Sequence, residues 1–386
     1  MMSNAPLHFE NEKSECNLLP LGTICSRVIE KNYDYSIKET FTNSALHGII
    51  SQLDFFNHDV TNLEKINNYI IVKQNDFVYN PRISSLAPVG PVNRNKLGRT
   101  GVVSPLYTVF RPNNIDYSYL EYFFKSNVWH KYMYYNGDTG ARSDRFSIKD
   151  SVFYEMPIPV PEDAEQKKIG KFLSNLDESI TYNKSKLDKV NKIRLSITDK
   201  MFVRDLNKKE PSIRFKDYEE TWSLKRFDEI FDFERPDNYM LEGNPTKLYG
   251  TPVLTANKAF ILGYTNEKNS YKKGNCIIFD DFTLDCKYVD FDFMINSSVI
   301  KILTTKNNND LKFSYYLLKN ANILMQGHAR HYISVVQPFE IFVPNPDEAN
   351  TIKTFLTKLD NLVELYQKRI DIMEKVKRTI INKLYG

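Results

Sequence analysis

Cysteine is scarce in this 386-residue chain: Cys16, Cys25, Cys276 and Cys286 are the only four, and no two of them stand in a CxxC spacing. That leaves no basis for a disulfide scaffold or a zinc ribbon, and the four read as reduced thiols of a cytoplasmic protein. Apolar runs are short. None approaches the roughly 18 residues that a membrane-spanning helix needs. The first twenty residues lack an apolar stretch between a basic start and a small-residue cleavage site, so no secretory signal is expected. A dominant charge is missing too. With 52 Lys and Arg against 48 Asp and Glu the net charge is only +4, so any footprint of a polyanionic partner must be local. Against these absences stand 24 tyrosines and 25 phenylalanines beside two tryptophans, a supply suited to strands and contact surfaces. The length allows two cores.

An internal repeat organises the rest. The 42 residues from Pro161 to Phe202 align without a gap on Pro344 to Tyr385, at a constant offset of 183. Ile169 meets Ile352, Phe172 meets Phe355, Asp177 meets Asp360 and Lys200 meets Lys383. Both copies carry a heptad seam. In the first it runs Ile169, Leu173, Leu176, Ile180, Asn183, Leu187, Val190, Arg194, Ile197 and Met201. In the second it runs Ile352, Leu356, Leu359, Val363, Tyr366, Ile370, Met373, Lys377, Ile380 and Leu384. Neither helix contains proline beyond its first seam residue, so each is expected to run about 39 residues, roughly 58 Å. Two unrelated amphipathic helices on separate cores are the alternative, but matched heptads favour pairing of the two copies. The polar seam positions are of the kind that fixes register at a cost in stability.

The repeat reaches upstream in weaker form: Leu7, Phe9 and Ile24 match Ile213, Phe215 and Ile230 at an offset of 206. Ahead of each helix lies a similar run, Gly140-Ala141-Arg142 to Ser147 and Gly327-His328-Ala329-Arg330 to Ser334, followed by an apolar exit strand. The expected domains are 1–160, a first variable block; 161–206, a central helix; 207–343, a second block; and 344–386, a C-terminal helix. The blocks alternate short apolar runs with Gly, Pro and Asn, as in Asp76–Tyr79, Tyr107–Phe110, Cys276–Phe279 and Ser298–Leu303, which predicts strands. Helices are expected over Asp116–Tyr134 and Leu311–Leu324. The fold class is therefore α+β: two mixed α/β domains separated by two long helices that pair as an antiparallel coiled coil, with a pseudo-two-fold internal repeat.

One stretch stands out for charge. From Phe77 to Ile115 there is no Asp or Glu, while Arg82, Arg94, Lys96, Arg99 and Arg111 are basic and Gly90, Gly98 and Gly101 make it loop-rich. Such a loop suits a phosphate backbone, and arginine can also read guanine; a merely solvated basic loop is the alternative. Arg142 and Arg145 extend this set. In the second block the candidates are Lys272, Lys273, His328, Arg330 and His331.

Together these features resemble the specificity subunit of a Type I restriction–modification system. The resemblance rests on the twin helices, on the helix start at Pro161, Glu165, Gln166, Ile169 and Asp177, on the linker from Ile213 to Trp222, and on the run Gly101-Val-Val-Ser-Pro-Leu-Tyr107. One departure is Glu348-Ala349, where the family usually keeps Glu-Gln. The resemblance implies that each block recognises one half of a bipartite double-stranded DNA target. It implies a coiled coil that acts as a ruler and as a dock for two methyltransferase subunits, which bind S-adenosylmethionine. Restriction/translocase subunits would join them. The chain itself would be non-catalytic, without cofactor or metal, cytoplasmic and free of membrane. Two other readings stay open: a coiled-coil protein-interaction scaffold, and a metal-dependent endonuclease using Asp281, Asp285 and Lys287.

Overall fold

A computed structural model describes residues 16–56, 63–139, 144–205, 207–255, 260–307, 309–325, 327 and 330–385, with the backbone alone for 63–65. Leu7, Phe9, Arg142 and His328 lie outside the described residues. The two long helices are Asp163–Met201, 39 residues, and Pro346–Tyr385, 40 residues. Acidic residues fill the first turn of each and a lysine the last, which complements the helix dipole. Pro346 opens the second helix, where its missing N–H costs nothing. The Asn345 side chain accepts the Glu348 amide, satisfying one of the free donors at that end.

The chain divides into two compact units. The first comprises residues 1–184 with 368–386, the second residues 185–367, so each holds one block together with half of each long helix. In the first unit the strand Asn17–Pro20 pairs antiparallel with the exit strand Pro157–Val160, and a helical turn, Leu21–Ile24, follows it. A four-stranded antiparallel sheet then runs in the order Cys25–Arg27, Thr108–Pro112, Phe77–Tyr79, Val92–Arg94. The second unit repeats this plan. Ser223–Arg226 pairs with Glu340–Val343, Phe227–Ile230 makes the turn, and the sheet runs Phe231–Glu234, Ile300–Thr305, Cys276–Asp280, Cys286–Val289.

The helix expected over Asp116–Tyr134 is broken in two, Tyr117–Phe124 and Val128–Asn136. Ser126 hydrogen-bonds back to the Phe123 carbonyl and the Trp129 indole donates to the Phe124 carbonyl, so the last turn is capped by side chains instead of continuing. The later helix also stops early, at Asn320. All four cysteines are free thiols, and burial pushes Cys25, Cys276 and Cys286 up to about 12.

All twenty seam positions are buried or half-buried. In the first unit Ile169 and Leu173 share a core with Ile381, Leu384 and Tyr385 and with the block's Phe77, Phe110 and Tyr119. In the second, Met201 and Phe202 join Ile352 and Leu356 with Phe231, Phe279 and Phe313. Repeat positions do equivalent work: Tyr385 packs on Tyr119 with ring centroids 5.3 Å apart, and Phe202 on Phe313 at 6.3 Å.

The polar seam residues have partners. Lys377 donates to Asp177, which also accepts the Tyr122 hydroxyl at 2.8 Å. In the second unit Arg194 reaches Asp360 at 2.8 Å, and Asp360 accepts the Tyr316 hydroxyl at 2.8 Å. Burial pushes the Asp177 carboxyl up, but the bond from Lys377, with Lys125 and Tyr122, outweighs burial and holds it below the usual carboxylate range. Asp177→Asn should lower the unfolding free energy by about 1–2 kcal/mol at neutral pH. A carboxylate with a lowered folded pKa adds stability above its unfolded value and loses it as the pH falls through the folded one. Denaturation of both proteins across pH should therefore show a gap that is full at pH 7 and closes below about pH 4.

Candidate nucleic-acid interface

The first block contains an open cleft of about 530 Å³ whose lining includes Asn43, Asn80, Arg82 and Arg145. The chain turns back on itself to build it. Ile83 donates to the Asp144 carbonyl at 3.0 Å and Phe146 to the Pro81 carbonyl at 2.8 Å, which sets Arg82 opposite Arg145 across an antiparallel bridge. Gly90 closes the loop with φ of +86°, and a Cβ there would sit 2.2 Å from the Asn80 carbonyl oxygen, so only glycine fits. Below the rim the amides are spent within the protein. Asn43 donates to the Val78 carbonyl at 2.6 Å and the Pro91 carbonyl at 3.0 Å, and Asn80 donates to the Asn43 carbonyl at 2.9 Å.

Arg82 is 68% exposed and comes no nearer than 3.7 Å to Asp144, while Arg145 is 31% exposed and 4.0 Å from the same carboxylate. Both separations are too long for a hydrogen bond. The other cations of the acid-free stretch are placed differently. Arg94 is half-buried, its side chain 12% exposed, and pairs with the buried Glu121 at 2.7 Å, and Lys96 contacts the same carboxylate at 3.3 Å. Arg99 grips Glu39 through two nitrogens at 2.7–2.9 Å, and Arg111 grips Asp76 likewise at 2.7 and 2.8 Å. Burial pushes the Glu121 carboxyl up, yet Lys125, Arg94 and Lys96 together hold it below its ordinary range. The stretch lacks acids, but the fold supplies them from elsewhere in the chain. Arg94 is thereby held in a half-buried ion pair on a buried carboxylate and is far less exposed than Arg82.

In the second block Lys272 and Arg330 are exposed, and Lys273 is held by Glu234 at 2.9 Å with its ammonium over the Tyr239 ring. His331 is 1% exposed with Nδ1 3.2 Å from the Asp281 carbonyl oxygen, so it belongs to the core instead of a contact surface. Of the residues weighed for a nuclease, Asp285 is exposed while Asp281 is buried. Asp281 is buried against Lys301 at 3.3 Å and accepts the Tyr332 amide at 2.7 Å, while Lys287 lies over the Phe260 ring. Among the described residues no group of three or more His, Cys, Asp or Glu could hold a metal, and no helix is long and apolar enough to cross a membrane.

The motifs at the helix starts also acquire partners. Glu348 is fully buried and receives Arg214 through two nitrogens at 2.8 Å and the Trp222 indole at 3.0 Å, which ties the linker to the second helix. Gln166 bridges the Asp116 amide, 2.9 Å, and the Pro161 carbonyl, 2.8 Å. Its repeat counterpart Ala349 makes apolar contacts only and belongs to the second core.

A family model for the Type I restriction modification DNA specificity domain matches residues 23–192 and again 219–375. The chain belongs to this family. Over 127 residues it is 41% identical to the specificity subunit of the type I restriction enzyme EcoR124I/EcoR124II of Escherichia coli, a match covering 31% of each chain. It is 23% identical over 267 residues to the type I restriction enzyme MjaVIII specificity subunit of Methanocaldococcus jannaschii, covering 61% of this chain and 63% of that one. The matches thus span less than two thirds of the length of these relatives. In fold, this specificity-domain chain resembles the S subunit of a type I restriction–modification system from M. genitalium, with a TM-score of 0.63 over 99% of both chains at 15% identity. A chain from a structure of type I system assembly and conformational transition gives 0.52 at 12% identity, over 98% of this chain and 100% of that one. The shared fold is α+β with two domains.

The different placement of the arginines can be tested directly. Arg94→Ala should lower stability by about 1–3 kcal/mol, because it leaves Glu121 buried with weaker partners. Arg82→Ala and Arg145→Ala should leave thermal unfolding unchanged within about 0.5 kcal/mol. Each should lower the slope of log affinity for duplex DNA against log salt by about one if it neutralises a phosphate. An Arg94→Ala protein of wild-type stability would show that the Arg94–Glu121 pair does not hold the block together.

Proposed function

We propose that this chain is the non-catalytic, sequence-reading subunit of a Type I restriction–modification enzyme. Each block recognises one half of a bipartite double-stranded DNA target, and the helices hold the two halves at a fixed spacing. Partner methyltransferase subunits, which carry S-adenosylmethionine, then modify adenine at the address this chain supplies, and restriction/translocase subunits join the same cytoplasmic assembly. One observation supports the reading above the others: a single sheet plan occurs twice, each time tied to the same pair of helices through an equivalent carboxylate, while the surface residues of the two blocks differ. Duplicated scaffolds with divergent surfaces suit a pair of unlike recognition sites. The boundaries this implies are those of the repeat: blocks 1–160 and 207–343, helices 161–206 and 344–386.

The cleft of the first block, with Arg82 and Arg145, supplies the contact to DNA there; Lys96 and Arg99 lie on the same block as outer contacts that give up a carboxylate partner to reach phosphate. In the second block Lys272, Lys273 and Arg330 take that part. Arginine and lysine in these positions draw the duplex by counterion release, and a bidentate arginine can add discrimination for guanine.

The test is a methyladenine map of DNA from cells holding this gene and its neighbouring methyltransferase gene, beside cells lacking only this gene. A bipartite motif should vanish with the gene; an unchanged map would refute the assignment. The ruler has its own test. Inserting one heptad in each helix adds about 10.5 Å, or about three base pairs at 3.4 Å each. The two half-site sequences should persist and move apart, whereas a changed sequence at the old spacing would contradict the ruler.

A further inference from the structure

The rim of the first block's cleft is built from three turns with one sequence pattern, Ser-x-Leu: Ser44-Ala45-Leu46, Ser84-Ser85-Leu86 and Ser104-Pro105-Leu106. In each, the serine hydroxyl accepts a backbone amide of its own turn. The Leu46 amide reaches Ser44 at 3.2 Å, the Ala87 amide reaches Ser84 at 3.2 Å, and the Leu106 amide reaches Ser104 at 3.4 Å. Backbone bonds close two of them, between Ser84 and Ala87 and from Tyr107 to Ser104. Each turn therefore holds its leucine at a defined position facing solvent, where Leu46, Leu86 and Leu106 are 70%, 67% and 57% exposed. A single exposed leucine needs no explanation. Three of them, each carried on a braced turn and converging on one cleft, form an apolar contact surface.

The chemistry of the cleft selects the occupant. Asn43 donates to two carbonyls of the block and accepts Asn93, Asn80 donates to the Asn43 carbonyl and accepts the Arg82 amide, and the Tyr107 hydroxyl lies 3.3 Å from that of Thr42. The bidentate amide contact that reads adenine is thus not available from these two asparagines. What the cleft offers outward includes the two loosely held guanidinium groups of Arg82 and Arg145 and an apolar set made of three leucyl side chains with Phe55 and Phe56. Guanidinium groups fit an anion, and beside them the major groove of DNA offers one apolar group, the thymine C5-methyl.

We propose that the three Ser-x-Leu turns read thymine methyl groups in the half-site bound by the first block, between the contacts of Arg82 and Arg145. This rests on the reading of the chain as a DNA-recognition subunit. It makes a thymine-containing half-site, read by apolar contact, the specificity of this block. Burying one methyl group contributes about 0.8 kcal/mol, which is about fourfold in affinity.

The experiment uses the full chain and synthetic duplexes. A bound sequence is first selected from a random duplex library, and each thymine of that sequence is then replaced in turn by deoxyuridine, which removes only the methyl group. At least one replacement should weaken binding about fourfold, and that penalty should vanish in the Leu86→Ser/Leu106→Ser protein, whose substitutions lie on exposed turns. A selected sequence that tolerates deoxyuridine throughout overturns the proposal and leaves the DNA-recognition reading standing, as does a penalty that survives in the double variant. Leucine variants that keep full deoxyuridine sensitivity but lose a protein subunit would assign the turns to protein docking instead. Failure to select any sequence would count against the DNA-recognition reading itself.

Discussion

The structure depends on one carboxylate used twice. Asp177 and its repeat counterpart Asp360 each accept a cation from the opposite long helix and a tyrosine hydroxyl from the adjoining block. A seam lysine or arginine would otherwise face an apolar stripe, where an unpaired charge costs several kcal/mol. Sliding one helix by a heptad would strand Lys377 and Arg194, leaving Asp360 without its arginine and Asp177 with Lys125 alone, so register is set by polar complementarity as well as by packing. Because Tyr122 and Tyr316 share those same carboxylates, the bond that fixes register also fixes the attitude of each block on its helices. Helix register and the seating of each block are coupled through a handful of atoms.

How much of this was legible in the sequence follows from how local each signal is. The helices could be read because a heptad seam declares itself within 40 residues, and the constant offset of 183 ties Ile169 to Ile352 and Met201 to Leu384 without any structure. Strands such as Phe77–Tyr79 and Cys276–Asp280 were legible from short apolar runs, whereas Phe41–Ser44 and Thr251–Leu254 were not. The break at Ser126 was not, since it rests on the Trp129 indole reaching back to a carbonyl. The fate of the basic stretch was least legible of all. Glu39 lies 60 residues from Arg99, and Asp76 lies 35 residues from Arg111. A run without acids along the chain says nothing of acids brought alongside it by folding. Arg82 and Arg145 escape because their shared neighbour Asp144 lies on the same short bridge and is held too far from either to bind it tightly.

The departures between the two repeats are informative because the scaffold is constant. In the first copy Gly170 lets the helix approach the Asp116 cap, where a Cβ would lie 2.8 Å from the carboxylate oxygen, and Gln166 binds the Asp116 amide. In the second copy glycine becomes Lys353 and glutamine becomes Ala349. Lys353 now donates to Asp310, the equivalent cap, at 2.7 Å. One copy joins block to helix by a neutral amide and close backbone approach, the other by an ion pair across a longer reach. The joint is kept while its chemistry changes, as expected where selection acts on the placement of a block and not on particular side chains.

That constancy also separates the residues that seat a block from those that face solvent. Residues that fasten a block, such as Tyr122 and Asp116, which bond to Asp177 and Gln166 of the first long helix, are buried or half-buried. Leu46, Leu86 and Leu106 face away on turns whose geometry is carried by serine hydroxyls and backbone bonds. A substitution at a leucine therefore alters the contact surface at little cost in stability, whereas one at the serine moves the turn itself. Under the thymine-methyl proposal, recognition falls to the leucine and architecture to the serine of the same tripeptide, so a leucine can be exchanged while the turn that aims it stays fixed.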